Sequence, residues 1–200
     1  MSDFIVIMQC CAAKSDAKYL KDGGRDVHFV ANPNCGTGKF YKRPDDKSLS
    51  GKTYREIVDL QSNEYLSDAY SIYTPNNPYK DIYKELFEKF GKRLYILSAG
   101  WGIVRAEFKL PSYDITFNAG AGKLKHRKHS DAGYRDYNHL ALDFPANPPP
   151  VICIGSPGYQ KQYEKLTGRL PDKDMPTFAW GNNYTRYYET ARRVIKGDVL

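Results

Sequence analysis

The chain has 200 residues, 41% hydrophobic and 26% charged, a globular mix that excludes a fibre or a disordered tail and fits one α/β-sized domain spanning residues 1–200. Its 30 Lys and Arg outnumber 23 Asp and Glu, and the resulting +7 favours a polyanionic partner, nucleic acid ahead of an anionic membrane. The longest apolar runs, such as Val151–Ile154, are too short to cross a bilayer, and no basic segment followed by a long apolar stretch opens the chain, so neither a membrane partner nor a secretory signal is expected.

In chain order, Phe4–Met8 reads as a first strand that runs into Gln9–Cys10–Cys11. Residues 21–50 are rich in Gly, Pro, Asn and Lys and read as a long loop or insertion. A helix is predicted over Thr53–Ala69. A second is marked by Tyr79, Ile82, Tyr83, Leu86, Phe87 and Phe90 at three- and four-residue spacing, with Asn77 as cap, Pro78 at its first position and Gly91 at its end. Leu94–Leu97 is the next strand, ending in Ser98–Ala99–Gly100. Residues 118–139 are loop-like and strongly basic. Pro148–Pro149–Pro150 leads rigidly into the strand Val151–Ile154, followed by Gly155–Ser156–Pro157 and a helix ending near Gly168. A fourth strand, Thr177–Trp180, runs into Gly181–Asn182–Asn183 and a last helix ending near Gly197.

Each of these strands is apolar at consecutive positions, as expected where both faces are covered in a parallel sheet. Their alternation with helices predicts a three-layer α/β/α sandwich with a mostly parallel central sheet. Ligands of such sheets bind beyond the carboxyl ends of the strands, where this chain places small and polar residues. There is no internal repeat.

The four cysteines, Cys10, Cys11, Cys35 and Cys153, contain no Cys-x-x-Cys pair that would close a tetrahedral site. They read as reduced, buried thiols of a cytosolic protein, so no metal and no other cofactor is expected.

Chemistry concentrates between Leu94 and Phe117. A strand ends at Ser98, a small-residue turn follows through Trp101 and Gly102, and the chain then offers Pro111–Ser112–Tyr113–Asp114. Glycines there let the backbone approach a ligand. Asp114, between Tyr113 and Ile115, suits a partly desolvated catalytic carboxylate, or simply caps a turn. Trp101 is placed to stack on an extruded base or to pack in the core. Lys123, Lys125, Arg127 and Lys128, with Arg135 shortly after, form a basic segment suited to phosphates, or a solvated surface loop. Ser156 begins a helix whose free N–H groups favour an anion, and Asn182 and Asn183 either read a base edge or make a turn.

The segments CCAAK at 10–14, YTPNNPYKDIYKELFEKFG at 73–91 and LSAGWGIV…PSYD at 97–114 together resemble a superfamily of bacterial peroxide-stress DNA-binding proteins and the glycosylase-like domain of archaeosine synthase. Cys11 and Lys14 match its Cys-x-x-Lys-like turn, Ser98, Ala99 and Gly102 its small-residue turn, and Tyr113–Asp114 its Tyr-Asp pair. The resemblance covers about half the chain and implies a fold similar to uracil-DNA glycosylase, with a nucleotide site at the carboxyl edge of the sheet. It makes Cys11, Lys14, Ser98, Trp101, Gly102 and Tyr113 candidate substrate contacts. The chain departs from the pattern at Trp101, where relatives often carry Lys or Leu, and it lacks a GQDPYH-like water-activating motif.

These readings converge on a DNA glycosylase-like hydrolase that excises a base, expected to be a modified one, from DNA. Such an enzyme fits a role in defence against invaders with modified genomes. N-glycosidic cleavage builds oxocarbenium-like charge on the sugar, which a carboxylate stabilises. Asp114 is the first candidate and Glu107 the second. The alternatives are a nucleic acid-binding stress protein of the same fold without the chemistry, and an enzyme acting on free nucleotides or nucleosides.

Overall fold

The computed structural model describes residues 4–14, 17–146, 149–170 and 184–198. The expected strand Thr177–Trp180 and the candidate residues Asn182 and Asn183 lie outside them. Along the chain run β1 (Ile5–Gln9), β2 (Lys21–Asp22), β3 (Arg25–Val30), β4 (Phe40–Lys42), α1 (Tyr54–Asp59), β5 (Ser67–Asp68), α2 (Ala69–Ile72) and α3 (Ile82–Phe90). There follow β6 (Leu94–Ser98), β7 (Gly102–Arg105), β8 (Lys109–Leu110), β9 (Tyr113–Asp114), β10 (Tyr137–Asn138), α4 (His139–Asp143), β11 (Val151–Ile154), α5 (Pro157–Thr167) and α6 (Tyr184–Lys196).

The consecutive apolar residues of β1, β6 and β11 are buried on both sides, and the three strands are neighbours in a five-stranded sheet of order β10-β7-β6-β1-β11. β1 pairs parallel with β6 and β11, and β10 pairs parallel with β7; only the β6–β7 pair is antiparallel. The chain is therefore mixed α/β with a mostly parallel central sheet. The exception arises because the small residues after Ser98 close a hairpin, with Ser98 opposite Gly102 and Tyr95 opposite Arg105. α3 packs against α6, with α3 touching β6 and α6 touching β11, while α4 and α5 touch β7.

α5 has Ser156 at its N-cap position, Pro157 in its first turn and left-handed Gly168 at its end, as the sequence predicts. α3 begins four residues later than the predicted first position, with Asp81 at its cap, and ends at Gly91 as expected. The helix expected over Thr53–Ala69 is not continuous. α1 starts at a Thr53–Glu56 capping box but stops by Leu60, because Gln61 adopts φ 55° and its side chain bonds the backbone of Lys109 in both directions.

The largest departure lies in residues 21–50, which are not simply a loop. β3 carries Val27, Phe29 and Val30 into the interior and pairs with β2, β4 and β9 in a second sheet. Phe29 lies opposite Tyr113 and Val30 opposite Asp114, so this insertion sets the position of the candidate carboxylate. No helix among the described residues is long and apolar enough to cross a membrane.

Candidate active site

β1 sits where connections depart to either side, toward β6 and toward β11, the kind of switch point at which open α/β sheets bind ligands. Beyond the carboxyl ends of β1 and β11 opens a cavity of about 570 Å³, lined by Gln9–Ala12 and Lys14, by Asp114–Ala119, by Lys125 and by Ser156–Tyr159 at the start of α5. That volume lies within the range of about 300–1,000 Å³ usual for small-molecule sites.

Its frame is built from backbone outward. Gln9, the buried last residue of β1, accepts a hydrogen bond from the Ser156 N–H through its side-chain oxygen at 2.6 Å, and its carbonyl accepts one from the Tyr83 hydroxyl at 2.7 Å. A Cβ at position 155 would stand 2.9 Å from that side-chain oxygen, which is why Gly155 fits there. The Ser156 N–H is thus already used, while Ser156 itself still lines the cavity.

A hydroxyl ladder supports the floor. Ser98 Oγ accepts from the N–H groups of Gly100 and Trp101 and donates to the Tyr113 hydroxyl at 2.9 Å, which shares a 2.6 Å bond with Tyr73. Cys10 Sγ meets the Tyr159 hydroxyl at 3.3 Å. Burial pushes Tyr73, Tyr113 and Tyr159 well above the ordinary tyrosine value of 10.0, so their protons stay in place at neutral pH. Cys11 is pushed up to about 11, chiefly by burial, and remains a thiol rather than a thiolate nucleophile.

Asp114 reaches the cavity from β9 and pairs with Lys125 at 2.6 Å, both side chains being about half exposed. Lys14 lies alongside, its Nζ 4.2 Å from the centre of the Tyr113 ring. Phe117 forms an aromatic wall, stacked on His129 at 4.4 Å and edge-on to Tyr159 at 5.2 Å.

The expected substrate contacts divide accordingly. Cys11, Lys14, Asp114 and Ser156 line the cavity; Tyr113 lies beneath Lys14, and Ser98 holds Tyr113. Trp101 is completely buried, 5.4 Å from Phe29 and 6.4 Å from Tyr137, so no base can stack on it. Gly102 serves the sheet: at φ 91° its Cα faces β10, and a Cβ would stand 2.3 Å from the Tyr137 carbonyl oxygen. Glu107 is exposed in the turn after β7, where Ala106 bonds the first residue of β6, at the opposite end of the sheet from the cavity. It cannot share a substrate with Asp114.

The basic segment also divides. Arg127 is 1% exposed and no phosphate ligand; both terminal guanidinium nitrogens bond Asp136, one of them also the Ala99 carbonyl, and the group stacks 3.6 Å from the Tyr134 ring centre. Asn32 ties down the carbonyls of Lys123 and His126, which fixes the segment rather than leaving it loose. Lys123, Lys128 and Arg135 remain exposed. Gln9 falls in the polar run after the first strand, where the sequence places ligands, whereas Phe117 and Tyr159 are site residues that the sequence does not single out, because only the fold brings them beside Asp114. No group of three or more His, Cys, Asp or Glu among the described residues is arranged to hold a metal ion. Compared with models of known protein families, with curated protein sequences and with solved structures, the chain finds no match.

Proposed function

We propose that the protein is a glycosylase-like hydrolase that receives a flipped, modified nucleotide of DNA in this cavity and cleaves its N-glycosidic bond. The observation that carries the reading is Asp114, presented by a strand pair to a cavity at the carboxyl ends of β1 and β11, with Lys125 and Lys14 beside it. In this reading the three-layer arrangement of uracil-DNA glycosylase underlies the α/β fold, and the resemblance in Cys11–Lys14 and Tyr113–Asp114 reflects a shared site.

The chemistry follows from charge. As the base departs with the bonding electrons, C1′ becomes cationic, and a carboxylate against the sugar lowers that barrier. Lys125 neutralises Asp114 in the free protein; a phosphate flanking the target nucleotide competes for the same ammonium and leaves the carboxylate to the sugar. Phe117 and the buried tyrosines provide a dry wall that strengthens these interactions.

The Asp114–Lys125 pair also favours a second reading, in which the carboxylate only orders the loop and the protein binds nucleic acid without reacting. Base release decides between them. Wild-type protein incubated with DNA carrying modified bases should liberate free base, and Asp114→Asn should lose about a hundredfold or more of that activity while keeping its melting temperature and DNA affinity. Unchanged release in Asp114→Asn removes the assignment. Release from free nucleosides but not from DNA points to a nucleoside enzyme instead.

A further inference from the structure

Among the described residues, Lys14 is a cationic residue of the cavity that makes no ion pair. Asp114 is taken by Lys125 at 2.6 Å, and no carboxylate of the described residues lies within ion-pairing distance of Lys14. Among the described residues its Nζ meets the carbonyls of Cys11 and Ala12, at 3.3 and 3.4 Å, and the faces of Tyr113 and Tyr73 at 4.2 and 5.7 Å. The backbone of Lys14 is bridged to Tyr73, which holds the amine over this aromatic floor. A lysine that grips phosphate by its charge is usually held protonated by a carboxylate of its own; the acid beside this one, Asp114, is already paired with Lys125.

Burial lowers Lys14 below its ordinary value of 10.5, and the Lys125 ammonium acts in the same direction, against the opposing influence of Cys10, Cys11 and Asp114. A lysine in such surroundings is the usual source of an amine nucleophile toward carbonyls.

We propose that Lys14 is a catalytic nucleophile whose Nζ attacks the C1′ aldehyde of an abasic deoxyribose in the cavity, cleaving the strand on its 3′ side through an imine. This rests on the reading of the cavity as a nucleotide site. The nitrogen lone pair adds to the carbonyl carbon, and loss of water leaves a protonated C1′=N bond. The Asp114 carboxylate takes a proton from C2′; the electrons of that C–H bond form C2′=C3′ as the C3′–O bond breaks and the 3′ phosphate departs with its electrons. Water then hydrolyses the imine, returning the amine and releasing an unsaturated aldehyde on the 5′ fragment.

The test uses the full chain with duplex DNA containing one abasic site. Cyanoborohydride at neutral pH should trap a covalent protein–DNA product, and peptide mapping of wild-type protein should find the link on Lys14. Without reductant the strand should break on the 3′ side. Lys14→Met should lose the trapped product by more than about a hundredfold, whereas Lys92→Met, at the opposite end of the sheet, should retain it. No trapped product, or one mapped to another lysine, overturns the proposal. Base release from unmodified-sugar DNA without trapping also overturns it, while leaving the glycosidic reading in place. Trapping on Lys14 without base release upholds it and retires that reading in favour of a lyase acting on abasic sites.

Discussion

His139 shows how a single side chain can couple the fold to pH. It opens α4, is 4% exposed, and its Nδ1 accepts the Arg105 N–H at 3.3 Å while the ring packs 4.6 Å from Phe108 and 5.2 Å from Tyr137. Burial, helped by the Arg105 guanidinium and opposed by Asp143 and Asp59, lowers it from 6.5 to about 4. The unfolded chain therefore binds a proton near pH 6.5 and the folded chain does not until about pH 4, so stability falls as pH drops through that window. His28 and His129 are shifted down mainly by burial as well and add the same sign. Denaturant midpoints should decrease as pH falls from about 7 to about 5.5, and His139→Gln should flatten that decrease. An equal slope in the variant would assign the effect elsewhere.

At the level of elements, the turn joining β6 to β7 separates sheet-building from ligand-binding roles. Gly102 sits at φ 91° with its Cα against β10, where a Cβ would stand 2.3 Å from the Tyr137 carbonyl oxygen and 2.8 Å from its nitrogen. Gly102→Ala should cost more than about 3 kcal/mol, since backbone on both sides must shift, and thermal melting would read it directly. A loss below about 1 kcal/mol would mean that β10 can move away freely. β1, β6 and β11 are legible in the sequence because a buried strand writes its environment as a run of apolar residues. β3 is not, since it opens with Arg25 and Asp26, both charged and exposed. β9 has only two residues and exists because β3 is beside it. Asp114 can thus be singled out from its neighbours in sequence, but its placement cannot. Within the basic segment, Lys125 and Arg127 look alike on paper. Their different fates are decided by Asp114 and Asp136, which only the fold brings to them. Trp101 is ambiguous for the same reason: Phe29, which closes over it, belongs to the stretch that reads as loop.

For the whole molecule, what matters is where the +7 charge acts. Lys125 enters the cavity, Lys123, Lys128 and Arg135 are exposed in the same basic stretch, and Arg127 is neutralised internally by Asp136. A nucleotide in the cavity would have its flanking phosphates beside this stretch. Lys89 and Lys92, by contrast, lie at the end of α3 and just after it, leading into the amino end of β6, at the opposite end of the sheet from the cavity. If only net charge attracts DNA, either group should matter in proportion to its size. If phosphates dock at the cavity, the groups differ. Affinity for DNA should fall with salt, and replacing Lys123, Lys125, Lys128 and Arg135 by Gln should flatten the log–log slope by up to about 3.6 units, roughly 0.9 for each phosphate that is no longer neutralised. The Lys89 and Lys92 set should leave the slope nearly unchanged, because exposed charges beyond roughly a Debye length of 8–10 Å are screened at physiological salt. Arg127→Gln belongs in neither group, since breaking its buried pair with Asp136 would cost on the order of 3–5 kcal/mol of stability. Flattening by both sets in proportion to the number of charges removed would remove the docking face, leaving a general electrostatic attraction and no reason for the cavity to be where DNA enters.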